Sequence, residues 1–287
     1  MTQHTTGSND RGVSESIGFL LMFGIVITGI ALVVLYGYPM LLQQQTSADE
    51  KIMEKNMIVL QNDFKSLAYK TVPFKETSMK IGGGSLTVFN SGHTPASTTI
   101  DIYDAGGTSY LPAPYNGGLP FTPGELRYES ISSQTDISLQ NGAVVMRRHI
   151  EPGSTMLAEP RWFFDPATNT MVINLFEITS TDIKAKEGIG TVQMELVGDP
   201  YYKESPVPTN GVVIIKCVFD NTQDYSVAWD DYIWNKWSIP ATYKGSRFVT
   251  AGPPKDIQYT ITNAGIPGGP SVMTLVVKIF KVNIRSL

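Results

Sequence analysis

The sequence predicts an α+β protein: a long N-terminal transmembrane helix with an amphipathic extension, then an antiparallel β-sandwich-like head with one inserted helix. Three observations carry this reading. No charged residue occurs from Ser16 to Ala48. Apolar residues then recur at helical spacing through Met53, Met57, Leu60, Phe64 and Leu67. From Ser78 onward the periodicity changes to two, and glycine-rich turns punctuate the chain. The implied organisation is a leader over residues 1–12, a transmembrane helix over 13–42, a stalk helix over 43–72 and a β-rich domain over 73–287.

The membrane segment comes first. The apolar run Ile17 to Leu42 exceeds the ~20 residues that a helix needs to cross the hydrocarbon layer. Soluble core helices rarely stay uncharged for so long. Gly18, Gly24, Gly29 and Gly37 lie along the run, without the spacing of a GxxxG pair. Tyr36 and Tyr38 beside Pro39 fit the far interface, where the helix can kink. The run is too long for an ordinary secretory signal, and no small-x-small cleavage site closes it.

The stalk follows. The four, three, four, three spacing of Met53, Met57, Leu60, Phe64 and Leu67 is an a/d seam two heptads long. Glu54, Lys55, Gln61, Asn62, Asp63 and Lys65 occupy the remaining positions. Two heptads are short for a free coiled coil, so the seam is expected to pack on the chain's own β-domain. Val72-Pro73 ends the helix.

In the head, Ser85–Phe89, Thr98–Tyr103, Gly190–Val197 and Asp256–Ile261 alternate, whereas Met171–Phe176 and Met273–Phe280 read as more deeply buried strands. Gly82-Gly83-Gly84, Ala105-Gly106-Gly107, Asn116-Gly117-Gly118 and Pro267-Gly268-Gly269-Pro270 are read as turns. Asn141-Gly142, between Ile137-Ser138-Leu139 and Ala143-Val144-Val145-Met146, is the clearest hairpin. Asp224 to Trp237 reads as the inserted helix. Its Tyr225, Ala228, Trp229, Tyr232, Ile233 and Lys236 share one face, with Trp234 and Trp237 towards its flank. Packing over a sheet is the expected role of that aromatic face, with a carbohydrate or peptide platform as the alternative.

The residues before the apolar run are the informative ones for function. A short polar leader ends in Arg11-Gly12, and Val13-Ser14-Glu15-Ser16-Ile17 leads into the helix. This resembles the class III signal of type IV pilins and archaellins. The resemblance implies that a membrane prepilin peptidase cuts between Gly12 and Val13 and leaves the helix on the mature protein. Glu15 is then the third mature residue. Bacterial pilins place a glutamate at the fifth, which here is Ile17, so the pattern is similar to the archaeal form. A plain signal anchor with Arg11 as its cytoplasmic charge is the alternative. Further on, Gly124-Glu125-Leu126-Arg127-Tyr128, Gln140-Asn141-Gly142-Ala143-Val144 and Met156-Leu157-Ala158-Glu159-Pro160 resemble a family of archaeal pilin-like membrane proteins. In that family an ENGAV-like hairpin precedes a strand ending in Glu-Pro; Gln140 stands here in place of the glutamate.

The sequence carries no recognisable catalytic or metal-binding constellation, so no enzyme, cofactor or metal is expected. His4, His93 and His149 show no ligand spacing, and Cys217, the only cysteine, sits in the strand-like run Val212–Phe219 as an expected buried, inert thiol. There is no Gly-x-Ser-x-Gly elbow, and Gly82-Gly83-Gly84-Ser85 lacks the P-loop lysine. Asp230-Asp231 are adjacent on a helix, so their carboxylates point apart. Arg147-Arg148 fall at strand spacing, one to each side of the sheet. The net charge of -4 gives no reason to expect nucleic acid, and no Asn-x-Ser/Thr sequon occurs. The resemblance therefore implies a pilin-like subunit, minor or pseudopilin-like. It would assemble with like or related subunits through Ile17 to Leu42, with Glu15 pairing the Val13 ammonium of a neighbour and the head outside the cell. A signal-anchored surface protein with an adhesive or ligand-binding head that never assembles is the alternative.

Overall fold

The computed structural model describes residues 9–70, 72–91, 98–220, 224–250, 252, 254–265 and 269–287, with the side chains of residues 9–15 outside that description. The chain divides into two compact units, Met1–Ala48 and Asp49–Leu287.

In the first unit, helix α1 (Asn9–Leu32) runs into a π-helical turn over Val33–Gly37, after which α2 (Tyr38–Tyr69) begins. The widened turn has a local cause. Pro39 has no N–H, and its ring opposes the carbonyl four residues back. The helix answers with one wider turn, in which the Tyr38 N–H donates to the carbonyl of Val33. The irregularity expected at Pro39 is thus taken up in the five residues Val33–Gly37 ahead of it.

The second unit begins inside α2, at Asp49. Its strands are β1 (Phe74–Phe89), β2 (Thr98–Tyr103), β3 (Glu125–Ser130), β4 (Thr135–Gln140), β5 (Ala143–Arg148), β6 (Ser154–Ala158), β7 (Phe163–Asp165), β8 (Thr170–Thr179), β9 (Lys184–Leu196), β10 (Tyr201–Val207), β11 (Val212–Phe219), β12 (Lys244–Val249), β13 (Lys255–Thr262) and β14 (Met273–Ser286). They form a ten-stranded sheet in the order β6-β5-β4-β3-β1-β9-β14-β8-β7, with β10 also on β14, and a four-stranded sheet β12-β13-β11-β2. One edge of β14 serves β10 along Met273–Ile279 and then β9 along Val282–Ser286. Its other edge pairs with β8 in parallel, from Thr274↔Thr170 to Asn283↔Thr179. This corrects the all-antiparallel expectation. The two strands are distant in sequence, so no hairpin dictates their direction.

Two cores explain the strand patterns. On one face of the large sheet, Leu86, Leu126, Leu139, Phe176 and Val282 pack with Met53, Met57, Leu60, Phe64 and Leu67 of α2. The stalk seam is therefore fully covered by the head. On the other face, Val145, Ile173, Leu175 and Val277 share a core with Ile215, Cys217, Phe219 and Tyr259 of the small sheet. Strand β8 is buried on both faces from Met171 to Ile178, which is why its sequence reads as a continuous apolar run. Strand β11 is buried on one face only and alternates.

The Asn141-Gly142 hairpin forms between β4 and β5, both residues at positive φ (47° and 71°) as a two-residue turn of this hand requires. Gly82-Gly83-Gly84 is not a turn. It lies inside β1 as a bulge, where the register against β9 slips between Ile81 and Ser85. The inserted helix is α3 (Ser226–Asp230) continued by a π-helical turn, Asp231–Lys236. Tyr225, Ala228, Trp229, Tyr232 and Ile233 are buried as expected, and Trp162 packs against Trp229, Tyr232 and Trp237. The wider π winding changes which later residues face inward. Trp237 is buried, while Lys236, assigned to the inner face, is exposed and pairs with Asp231 at 3.0 Å. Of the Pro267–Pro270 turn, Pro267 and Gly268 lie outside the described residues.

Candidate functional site

The first candidate is the N-terminal helix itself. Residues Arg11, Gly12, Val13 and Glu15 fall within α1, which begins at Asn9, so the Gly12–Val13 bond lies in helical backbone; their side chains, and His4, lie outside the described residues. From Ser16 to Tyr36 every residue is exposed, including Phe19 at 68% and Leu35 at 65%. An added Cβ at Gly18, Gly24 or Gly29 would meet nothing within 4 Å. The one hydroxyl near the middle, Thr28, donates to the carbonyl of Gly24 at 2.7 Å and so carries its own partner. Among the described residues, one helix, Ser16–Tyr69, is long and apolar enough to cross a membrane or to act as a signal anchor.

The second candidate is the socket that holds the stalk within the second unit. Gln61 is 1% exposed, and its Nε2 donates to the carbonyls of Gly142 and Glu159, both at 2.8 Å. The two acceptors belong to the Gln140–Val144 hairpin and the Glu159-Pro160 pair. Those motifs are thus brought together by one side chain of α2. Gly142 is required twice over: its φ is +71°, and a Cβ there would lie 2.8 Å from the ring of Phe176. Asn141 completes the socket, its Oδ1 accepting from the Phe176 N–H at 3.0 Å. Gly124, at the head of the first motif, has φ +66° and would drive a Cβ to within 2.7 Å of the Ile178 carbonyl. These glycines therefore serve close backbone approach.

At the start of the unit, Asp49 lies against the β1 bulge, where a Cβ on Gly82 would collide with its carboxylate. Lys80 pairs with it at 3.3 Å. Glu50 reaches Arg148 at 2.8 Å, and Asp63 reaches Lys75 at 3.5 Å. Gln61 is buried although the heptad reading sets it among the polar positions of the stalk, and Asp49 is buried as well. The sequence signal for their burial was present, since Gln61 stands four residues after Met57 and Asp49 four before Met53.

A second polar group lies between β3, β4 and β5. Arg127, 2% exposed, donates to Glu125 and to Glu129, the latter at 2.9 Å, and its guanidinium sits 4.2 Å from the centre of the Phe89 ring. Ser138 donates to Glu125 at 2.6 Å. A buried arginine needs such partners, because an uncompensated charge there is costly. Asp136 holds His149 at 2.6 Å. His93 lies outside the described residues.

The other residues singled out in the sequence are placed as follows. Cys217 is buried and its thiol is pushed up to about 12 by desolvation, so it stays protonated and unreactive. The Asp230-Asp231 carboxylates do diverge. Asp230 accepts from Arg247 at 2.7 Å and from the Tyr259 hydroxyl at 3.0 Å, whereas Asp231 is held below the usual carboxylate range by Asn235 and then Lys236. Among the described residues no group of three metal-ligating side chains occurs.

Residues 11–235 match the model of a family described as a family of unknown function, DUF7289. The chain belongs to that family. No curated protein and no solved structure matches it. The DUF7289 match begins at Arg11 and spans the apolar helix, the stalk, the Gln61 socket and most of the inserted aromatic helix; β12, β13 and β14 lie beyond it.

Proposed function

We propose that this DUF7289 chain is a pilin-like subunit, minor or pseudopilin-like, of an archaeal cell-surface filament or of its assembly apparatus. The observation that carries the reading is the uncovered helix. From Ile17 to Leu35 every residue is exposed and, Thr28 apart, apolar, and a helix of that kind demands lipid or other helices around it. The Arg11-Gly12 pair ahead of it supports removal of residues 1–12 by a prepilin peptidase, and Glu15 supports assembly. The mature helix crosses the membrane once, with the head outside the cell as a β-sandwich formed by its two sheets. In an assembled bundle, the Val13 ammonium and Glu15 of neighbouring subunits pair, and the contact repeats helically without closing. The stalk seam supports the same reading. It is spent on the head's own core, which leaves the apolar helix as the surface for neighbours.

The second reading is a signal-anchored surface protein that does not assemble; lipid alone satisfies the same exposed side chains. The test is Glu15→Ala, compared with wild type at equal membrane levels. Removing one partner of a buried charge pair costs about 3–5 kcal/mol, whereas insertion of a single helix makes no such demand. Crosslinked multimers and protein recovered in sheared surface filaments should fall, with insertion unchanged. If wild type enters neither fraction, the chain is a plain anchor. If the variant assembles like wild type, Glu15 has no pairing role.

A further inference from the structure

A recess of about 340 Å³ opens in the head beside β8, between the loop that carries Tyr115, Leu119 and Phe121 and the carboxylate of Glu177. That volume is at the small end of ligand sites, which run roughly 300–1,000 Å³. Glu177 is 8% exposed and forms the polar floor. Its Oε1 accepts from the Ser91 hydroxyl at 2.8 Å, and its Oε2 accepts from the Tyr115 hydroxyl. Lys281, its register partner on β14, places Nζ 3.6 Å from Oε2. The Tyr115 ring is fixed edge-on between Phe121 and Tyr201, at centroid distances of 5.6 and 5.3 Å. Burial, and then the bond to Glu177, hold the Tyr115 hydroxyl above its ordinary pKa, so it remains a donor. Pro114, Leu119 and Pro120 add apolar lining, and Leu119 is 80% exposed.

Each ligand class meets these groups differently. Lys281 offsets the charge of Glu177, so a free cation gains no net attraction. An anion meets the carboxylate directly. A wholly apolar ligand would cut Glu177 off from water with acceptor sites unfilled, since a carboxylate offers about four and the protein occupies only some of them. A compact neutral ring with hydroxyls on its edge and C–H groups on its face satisfies both kinds of lining. We propose that this recess binds a neutral saccharide residue, its hydroxyls donating to Glu177 and its C–H face lying on the exposed apolar side chains of Pro114, Leu119 and Pro120. The head would then recognise surface sugar, whether or not the chain assembles through its helix.

The test uses the full chain in a detergent without a sugar headgroup. Saturation-transfer NMR is recorded with the methyl glycosides of glucose, galactose, mannose and N-acetylglucosamine, and with lysine amide as the cationic control. At least one glycoside should bind saturably and lysine amide should not. Glu177→Gln should weaken that glycoside at least about tenfold, the loss expected for a hydrogen bond to a charged acceptor. Gly117→Trp should abolish it by filling the recess; Gly117 lines the recess, and the nearest atom to a new Cβ there is the Pro114 carbonyl oxygen at 4.0 Å. If Glu177→Gln melts far below wild type, Gly117→Trp decides. The proposal is overturned if no glycoside binds up to about 20 mM, well above the range of weak but specific binding. It is also overturned if both folded variants bind like wild type, or if lysine amide binds and the glycosides do not.

Discussion

Replacing Gln61 with leucine separates a socket held by hydrogen bonds from one held by packing alone. Leucine keeps roughly the volume of the side chain on a helix face that is otherwise Met57, Leu60 and Phe64, all fully buried. It removes both donors, however, and leaves the carbonyls of Gly142 and Glu159 facing apolar atoms. Gly142 lies in the two-residue turn between β4 and β5, outside their ladder, whose last rung is Gln140↔Ala143. An acceptor stranded in this way costs about 1–3 kcal/mol, and the Glu159 carbonyl is only partly buried, so the pair is expected to cost about 2–4 kcal/mol. For a head of this size that lowers the melting temperature by about 5–15 °C. Circular dichroism melts of the full chain in detergent measure it, with Lys51→Ala on the exposed face as control. Gln61→Glu sharpens the test. At neutral pH it sets a carboxylate against two carbonyls, so the folded state raises the pKa of the new group above its unfolded value. The penalty is largest above the raised pKa and shrinks as the pH falls through it, because the protonated acid can donate one bond. A melting shift under about 2 °C for Gln61→Leu, or the opposite pH trend for Gln61→Glu, would refute the socket.

Two further outcomes follow from the same architecture. A chain starting at Thr71 loses Met53, Met57, Leu60, Phe64 and Leu67, all buried. At about 1.5–3 kcal/mol each the loss matches the whole stability of an ordinary domain, so this chain should be insoluble, whereas one starting at Asp49 should fold with a mostly β circular dichroism spectrum; a soluble, cooperatively melting Thr71 chain would contradict the shared core. Gly12→Trp should leave membrane insertion intact and block removal of the leader, read as a gel shift against processed wild type; equal sizes, with wild type processed, would exclude the proposed site.

Much of this fold was legible because local physics dominated. The Met53–Leu67 seam and the Asn141-Gly142 turn depend on spacing and on φ preferences that a short segment carries by itself. What the sequence concealed required distant partners. The Gly82–Gly84 triplet reads as a turn until Asp49 is placed against Gly82 and Gly84 is set where any Cβ would collide with the Glu129 carbonyl. The parallel pairing of β8 with β14 joins segments about a hundred residues apart. Trp237 and Lys236 exchanged roles because a π-helical turn is invisible to a reading at 3.6 residues per turn. For the sites, the cluster of Glu125 and Arg127 on β3 with Ser138 on β4 needs strand pairing to form, and the recess at Glu177 is assembled from three separate stretches of chain.

The central proposal is that the leader is removed at Gly12 and that the exposed apolar helix then assembles as a pilin-like subunit does. Intact-mass and N-terminal sequence analysis of the protein purified from its native membranes tests it most directly. The account predicts a single species beginning at Val13. A species that keeps Arg11-Gly12 and the preceding leader would contradict it and leave a plain signal anchor.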